Sequence, residues 1–156
     1  LAAQSRHGNQ GPVSGRRRGR DCGCSSAVVP ARSFAESLHV LVADDDPILL
    51  TTVASILRAT GADVVTVEDG VDAIAQIESA RFDCVPLDRS MPRMDGATAY
   101  IEINRRQPEL PVIVMSGYSE PNDPRLRAVP FVPKPFDAAR ITTTIRAEVD
   151  HARRVR

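Results

Sequence analysis

Three consecutive acids, Asp44, Asp45 and Asp46, a single Asp88 that closes an apolar run, Ser116 at the end of another, and Lys134 between two prolines are the residues here whose types could act together. Lysine and arginine total 20, but Lys134 is the only lysine. A chain that uses arginine almost everywhere else and keeps one lysine points to a place where a compact ammonium on a flexible stem is needed and a planar guanidinium does not fit. Carboxylates gathered in one small crevice repel each other, and a bound cation relieves that repulsion. An all-oxygen set with room for water suits Mg²⁺ better than zinc or copper.

The elements that would gather these residues are legible as alternating apolar runs and helical patterns from Leu38 onward, which imply βα units and a parallel sheet. Strands are expected at 39–43, 64–67, 84–87, 112–115 and 131–132. Pro47 opens a helix to about Ala59 that Gly61 closes, and Asp46 is its natural cap. Gly70 leads into a second helix, and a third spans about Ala97 to Arg106. A last helix from about Asp137 places Ile141, Ile145 and Val149 on one face. In an open parallel sheet, ligands bind outside the carboxyl ends of the strands, where strand order reverses. Four strand ends would then deliver acids, a hydroxyl and the ammonium to one edge. There a metal would draw a phosphoryl group towards Asp88. Lys134 would pair with the phosphoryl oxygens, Ser116 can donate one hydrogen bond, and Gly117 lets its backbone N–H approach closely.

Composition narrows the classes. Hydrophobic residues make up 42 %, enough for a core, and no apolar run reaches membrane-spanning length. The formal net charge of zero hides an asymmetry. Residues 1–33 carry six arginines and one acid, so the remainder is acidic, which disfavours direct nucleic-acid binding. Residues 1–36 read as a disordered basic tail or linker, 37–150 as one domain and 151–156 as a C-terminal tail. Cysteines at 22, 24 and 84 are too sparse for a disulfide framework, and they fit a reducing cytoplasm. The chain opens on Leu1 without a signal-peptide pattern, as a segment of a longer product would.

The stretches VLVADDDP, LDRSMPRMDG, PVIVMSGY and FVPKPF together resemble the receiver domain of two-component signalling, over about residues 38–150. The resemblance implies a flavodoxin-like, doubly wound α/β fold with a five-stranded parallel sheet in the order 2-1-3-4-5. It implies Asp44 and Asp45 as the acidic pair, with Asp45 a direct Mg²⁺ ligand. Asp88 is then the phosphorylated aspartate and a further ligand, and the backbone carbonyl of Ser90 completes the protein's share of the shell. Ser116 and Phe131 become the switch residues and Lys134 the phosphate-binding lysine. A cis bond before Pro135 is implied as well. The expected partners are a histidine kinase or phosphotransfer protein and a downstream protein that reads the switch. No helix-turn-helix pattern is present, so direct DNA contact is not expected. A stand-alone regulator and the terminal receiver of a hybrid sensor kinase both remain open.

Two departures from the family pattern stand out. Pro86 lies two residues before Asp88, in what should be a central strand, and removes a ladder donor there. The stretch from Ser116 to Lys134 is short, so the fourth helix is expected to shrink to about one turn. Both motivate a rival reading, a phosphorylation-independent interaction module that keeps the fold. A phosphoaspartate hydrolase is a weaker alternative, because its usual second aspartate is replaced by Ser90.

Overall fold

The computed structural model describes residues 37–117 and 123–155. The basic segment 1–36, with Cys22 and Cys24, lies outside the described residues, and so does the reading of that segment as a tail. Five strands form one parallel sheet: β1 (His39–Ala43), β2 (Asp63–Val67), β3 (Val85–Asp88), β4 (Val112–Ser116) and β5 (Phe131–Pro133). Their order is β2-β1-β3-β4-β5, so the chain reverses direction across the sheet between β1 and β3. Four helices flank the sheet: α1 (Pro47–Ala59), α2 (Gly70–Ser79), α3 (Gly96–Arg106) and α4 (Ala138–Val155).

Side-chain alternation along the strands divides the core between two faces. Val40, Val42, Ile113, Met115 and Val132 meet α1 and α4 through Leu50, Val53, Leu57, Ile141, Ile145 and Val149. Leu41, Ala43, Val85, Leu87 and Val112 meet α2 and α3 through Ala73, Ile74, Ile77, Ala99 and Ile103. Buried on both faces, the three central strands read as continuous apolar runs.

Each helix starts on an aspartate. The Asp46 carboxylate accepts from the N–H groups of Ile48 and Leu49, and Asp69 accepts from Val71 and Asp72. Asp95 accepts from Thr98, and Asp137 from Arg140. These bonds satisfy N–H groups that have no partner within the helix.

Pro86 is accommodated inside β3, where it is buried and sits in register with Ile113 of β4. Val85 turns its N–H to the carbonyl of Pro111, on the β4 side, while Cys84 turns its carbonyl to the Leu41 N–H of β1. The missing donor at position 86 therefore faces β1, opposite the carbonyl of Leu41. Pairing of β1 with β3 survives below and above the gap, at Val40–Cys84 and Ala43–Leu87. As expected from the short stretch between Ser116 and Lys134, the described residues of this connection hold a 3-10 turn, Pro124–Leu126, in place of the family's fourth helix.

At the C-terminus the helix continues to Val155, past the boundary at residue 150 where a tail was expected. The apolar spacing does stop at Val149, but Arg153 reaches Asp83 at 3.3 Å and the last turns lie beside Pro108–Pro111.

Candidate functional site

Four strand ends converge as the order of elements implies. Asp88 is the last residue of β3, Ser116 the last of β4, Asp44 the first residue after β1, and Lys134 the first after β5. The Lys134 ammonium bridges two acids, with Nζ 2.6 Å from Asp44 Oδ2 and 2.6 Å from Asp88 Oδ1. The ties that place it are local. The Lys134 N–H donates to the Ser116 carbonyl at 2.7 Å, and the peptide bond that follows, Lys134–Pro135, is cis.

The acids are held on their other sides as well. Asp44 Oδ1 accepts from the Asp46 N–H at 3.0 Å, and Asp88 Oδ2 accepts from the Ser90 N–H at 2.8 Å. Asp44 is fully buried and Asp88 is 5 % exposed, whereas Asp45 opens to solvent. Asp44, Asp45 and Asp88 each offer an oxygen within 4.8 Å of the others. An all-carboxylate donor set with one open side fits a hard, partly hydrated cation such as Mg²⁺.

Burial pushes the Asp44 carboxyl above its ordinary range, and the charge of Asp88 adds to this. The hydrogen bonds from Lys134 and from the Asp46 N–H work against the rise without cancelling it. Burial also weighs against the Lys134 ammonium, but its bonds to Asp44 and Asp88 outweigh that, so its pKa lies above the usual lysine value. One cation thus serves two carboxylates, and the set is short of positive charge.

Ser116 is buried at the same edge, and Gly117 beside it is exposed, with nothing within 4 Å of where a Cβ would stand. Phe131 is half-buried against the cluster of Val114, Leu126 and Val129. The structure therefore brings Asp44, Asp45, Asp88 and Lys134 together, with Ser116 at the same strand ends and Phe131 in a neighbouring apolar cluster.

A family model, the response regulator receiver domain, matches residues 40–146. The chain belongs to that family. The receiver is 31 % identical over 120 residues to the transcriptional regulatory protein ZraR of Salmonella typhimurium, covering 74 % of this chain and 27 % of ZraR. It is 36 % identical over 99 residues to the transcription factor SKN7 of Candida albicans, covering 64 % of this chain and 17 % of that protein. The chain thus spans well under a third of either relative. Among solved structures, the receiver domain of the sensor histidine kinase PA1611 from Pseudomonas aeruginosa superposes with a TM-score of 0.68. It is 26 % identical, covers 73 % of this chain and 98 % of that one, and holds a magnesium ion in its active-site cleft. The response regulator TrrA from Thermotoga maritima, in complex with Mg²⁺ and BeF, also reaches 0.68 at 26 % identity, covering 71 % and 98 %.

Sequence reasoning missed two supports of this receiver's site. Gly96 is where the start of α3 meets the end of β3. A Cβ there would fall on the Asp88 carbonyl oxygen and lie 2.9 Å from Arg89 Cα. Arg93, in the loop after Asp88, holds Asp69 and Asp72 across the start of α2. One arginine among 19 gives no sequence signal, although its place inside the LDRSMPRMDG stretch could have drawn attention.

Proposed function

We propose that this receiver takes a phosphoryl group from the phosphohistidine of a partner kinase or phosphotransfer protein onto Asp88, and that the modified domain shifts a surface that a downstream protein reads. The observation that carries this reading is the Lys134 ammonium at 2.6 Å from both Asp44 and Asp88. An ammonium poised between a buried acid and an acceptor carboxylate can move onto incoming phosphoryl oxygens without leaving Asp44.

Asp44, Asp45, Asp88 and the Ser90 carbonyl would hold Mg²⁺, which when bound supplies positive charge to the transferring phosphoryl group. The chain's own residues do the rest. The Ser90 N–H fixes one Asp88 oxygen, which orients the carboxylate for in-line attack on phosphorus. An O–P bond forms as the P–N bond to the donor imidazole breaks, and the imidazole keeps the electron pair. Lys134 stabilises the charge on the phosphoryl oxygens by electrostatics. Ser116 then donates to the phosphoryl group, Gly117 admits it closely, and Phe131 moves with the repacking. Later hydrolysis of the acyl phosphate resets the switch. The domain modifies itself and turns over no external metabolite, and it would act in the cytoplasm without touching DNA directly.

One observation favours a second reading. Among the described residues, the connection between β4 and β5 holds a 3-10 turn in place of the family's fourth helix, as its short length led us to expect, which suits an interaction module that works without phosphorylation. Incubation of the full chain with acetyl phosphate and Mg²⁺, followed by intact-mass measurement, separates the two. A gain of one phosphoryl group that disappears with EDTA supports the acceptor. No gain, from acetyl phosphate or from a cognate kinase, supports the module.

A further inference from the structure

The loop from Arg89 to Asp95 leaves the acceptor and returns to the start of α3, and it is closed at its base by the Gly96 N–H donating to the Arg89 carbonyl at 2.9 Å. Its first turn serves the site, through the Ser90 N–H on Asp88 at 2.8 Å. Its far side is fastened elsewhere. Arg93 Nε donates to Asp69 Oδ2 at 2.6 Å, one terminal nitrogen of Arg93 reaches the same oxygen, and it also reaches Asp72 Oδ2 at 2.8 Å. The backbone accommodates this in an uncommon way. Arg93 has φ +59°, in the left-handed region that a non-glycine residue adopts at a cost. Asp69 is 4 % exposed and caps α2 with its other oxygen, so it is held by the helix start as well as by the arginine. The loop also lies close to α2, since a Cβ on Gly70 would sit 2.9 Å from the Met94 carbonyl oxygen.

We propose that Arg93 is a positioning residue for the magnesium and phosphoryl site, its guanidinium fastening the 89–95 loop to the start of α2 and so holding the Ser90 backbone in place beside Asp88. The inference rests on the function proposed above. A fork that binds two acids at once fixes direction as well as distance. Groups that orient a metal's ligands from behind change its affinity when they are lost.

The sign of the effect separates positioning from charge alone. Removing a cation near a cation site tightens Mg²⁺ binding if only through-space electrostatics matter, and weakens it if the loop's geometry matters. Mg²⁺ affinity is read by isothermal titration on the full chain and on Arg93→Ala, Arg93→Gly, Arg93→Lys and Asp72→Asn, with folding checked by circular dichroism. Arg93→Ala and Arg93→Gly are expected to weaken Mg²⁺ by roughly tenfold, Arg93→Lys and Asp72→Asn by less. The glycine variant removes the cost of the positive φ, so it keeps the test valid if the alanine variant fails to fold. Asp72 is exposed, so its variant tests one arm of the fork alone, and because losing an anion also weakens a nearby cation site, the sign of the effect is decided by the Arg93 variants. Unchanged or tighter Mg²⁺ binding in the folded glycine variant would overturn the inference and leave the acceptor reading intact. An unaltered chain that binds no Mg²⁺ would overturn both.

Discussion

Asp44, Lys134 and Asp88 at the sheet edge, and Asp69, Arg93 and Asp72 at the start of α2, are both built as two acids sharing one cation. They differ in which cation they use and in how well the acids are satisfied. At the sheet edge the cation is a lysine and burial holds Asp44 above its ordinary pKa. At α2 the cation is an arginine. Burial works against the Asp69 carboxylate there too, but the N–H donors of Asp72 and Val71, together with Arg93, outweigh it and hold the pKa below the usual value. The first cluster is short of positive charge and open to another cation, while the second is closed. A site that must exchange partners tolerates incomplete compensation, and a support is built to be complete.

The largest way to break this contrast is to exchange the cation at the sheet edge. Lys134→Arg is expected to slow phosphorylation by about 100-fold, because a planar fork cannot sit at 2.6 Å from both acids and still swing onto a phosphoryl group. Timed intact-mass measurement with acetyl phosphate and Mg²⁺ reads the rate, and a rate within threefold of the parent's contradicts the specific need for an ammonium. Next in size is Gly96→Ala, whose added methyl meets the Asp88 carbonyl. It is expected to cost about 2 kcal/mol of stability by urea unfolding.

Pro86→Val should act in the opposite direction and gain about 1 kcal/mol, since it offers the Leu41 carbonyl the donor that proline lacks. No gain would mean that β1 and β3 are already satisfied by another route. The smallest effects compare the acids directly. Asp69 has a lowered pKa, so its stabilising contribution is complete above its ordinary value of 3.8 and is lost as pH falls through its lower folded-state value. Asp44 has a raised pKa, so its contribution is present below that ordinary value and is lost as pH rises through its higher folded-state value. In metal-free buffer near pH 7, Asp69→Asn should therefore lower the melting temperature and Asp44→Asn raise it, each by about 2 °C. Shifts of the same sign would erase the contrast.

The sheet edge was readable in the sequence because each residue carried its own signal. Lys134 stood alone as the only lysine, Asp88 ended an apolar run, alternating βα patterns marked a parallel sheet, and the resemblance to receiver domains implied the order of its strands. The support was not readable. Arg93 is one arginine among many, its left-handed backbone leaves no mark on the sequence, and Asp69 looked like any acid before a helix. The end of α4 was missed for a related reason. Its last six residues lack the apolar spacing that announces a helix, and what holds them, Arg153 on Asp83, is a contact across 70 positions. Pro86 argued against a central strand only so long as the direction of its missing N–H was unknown.

The most direct measurement locates the phosphoryl group chemically. Borohydride reduces an aspartyl phosphate to homoserine, so the chain treated with acetyl phosphate and Mg²⁺, reduced and digested, should carry homoserine at position 88 and nowhere else, and none when EDTA replaces Mg²⁺. Homoserine at Asp44 or Asp45, or none at any position in a folded chain that binds Mg²⁺, would contradict the account.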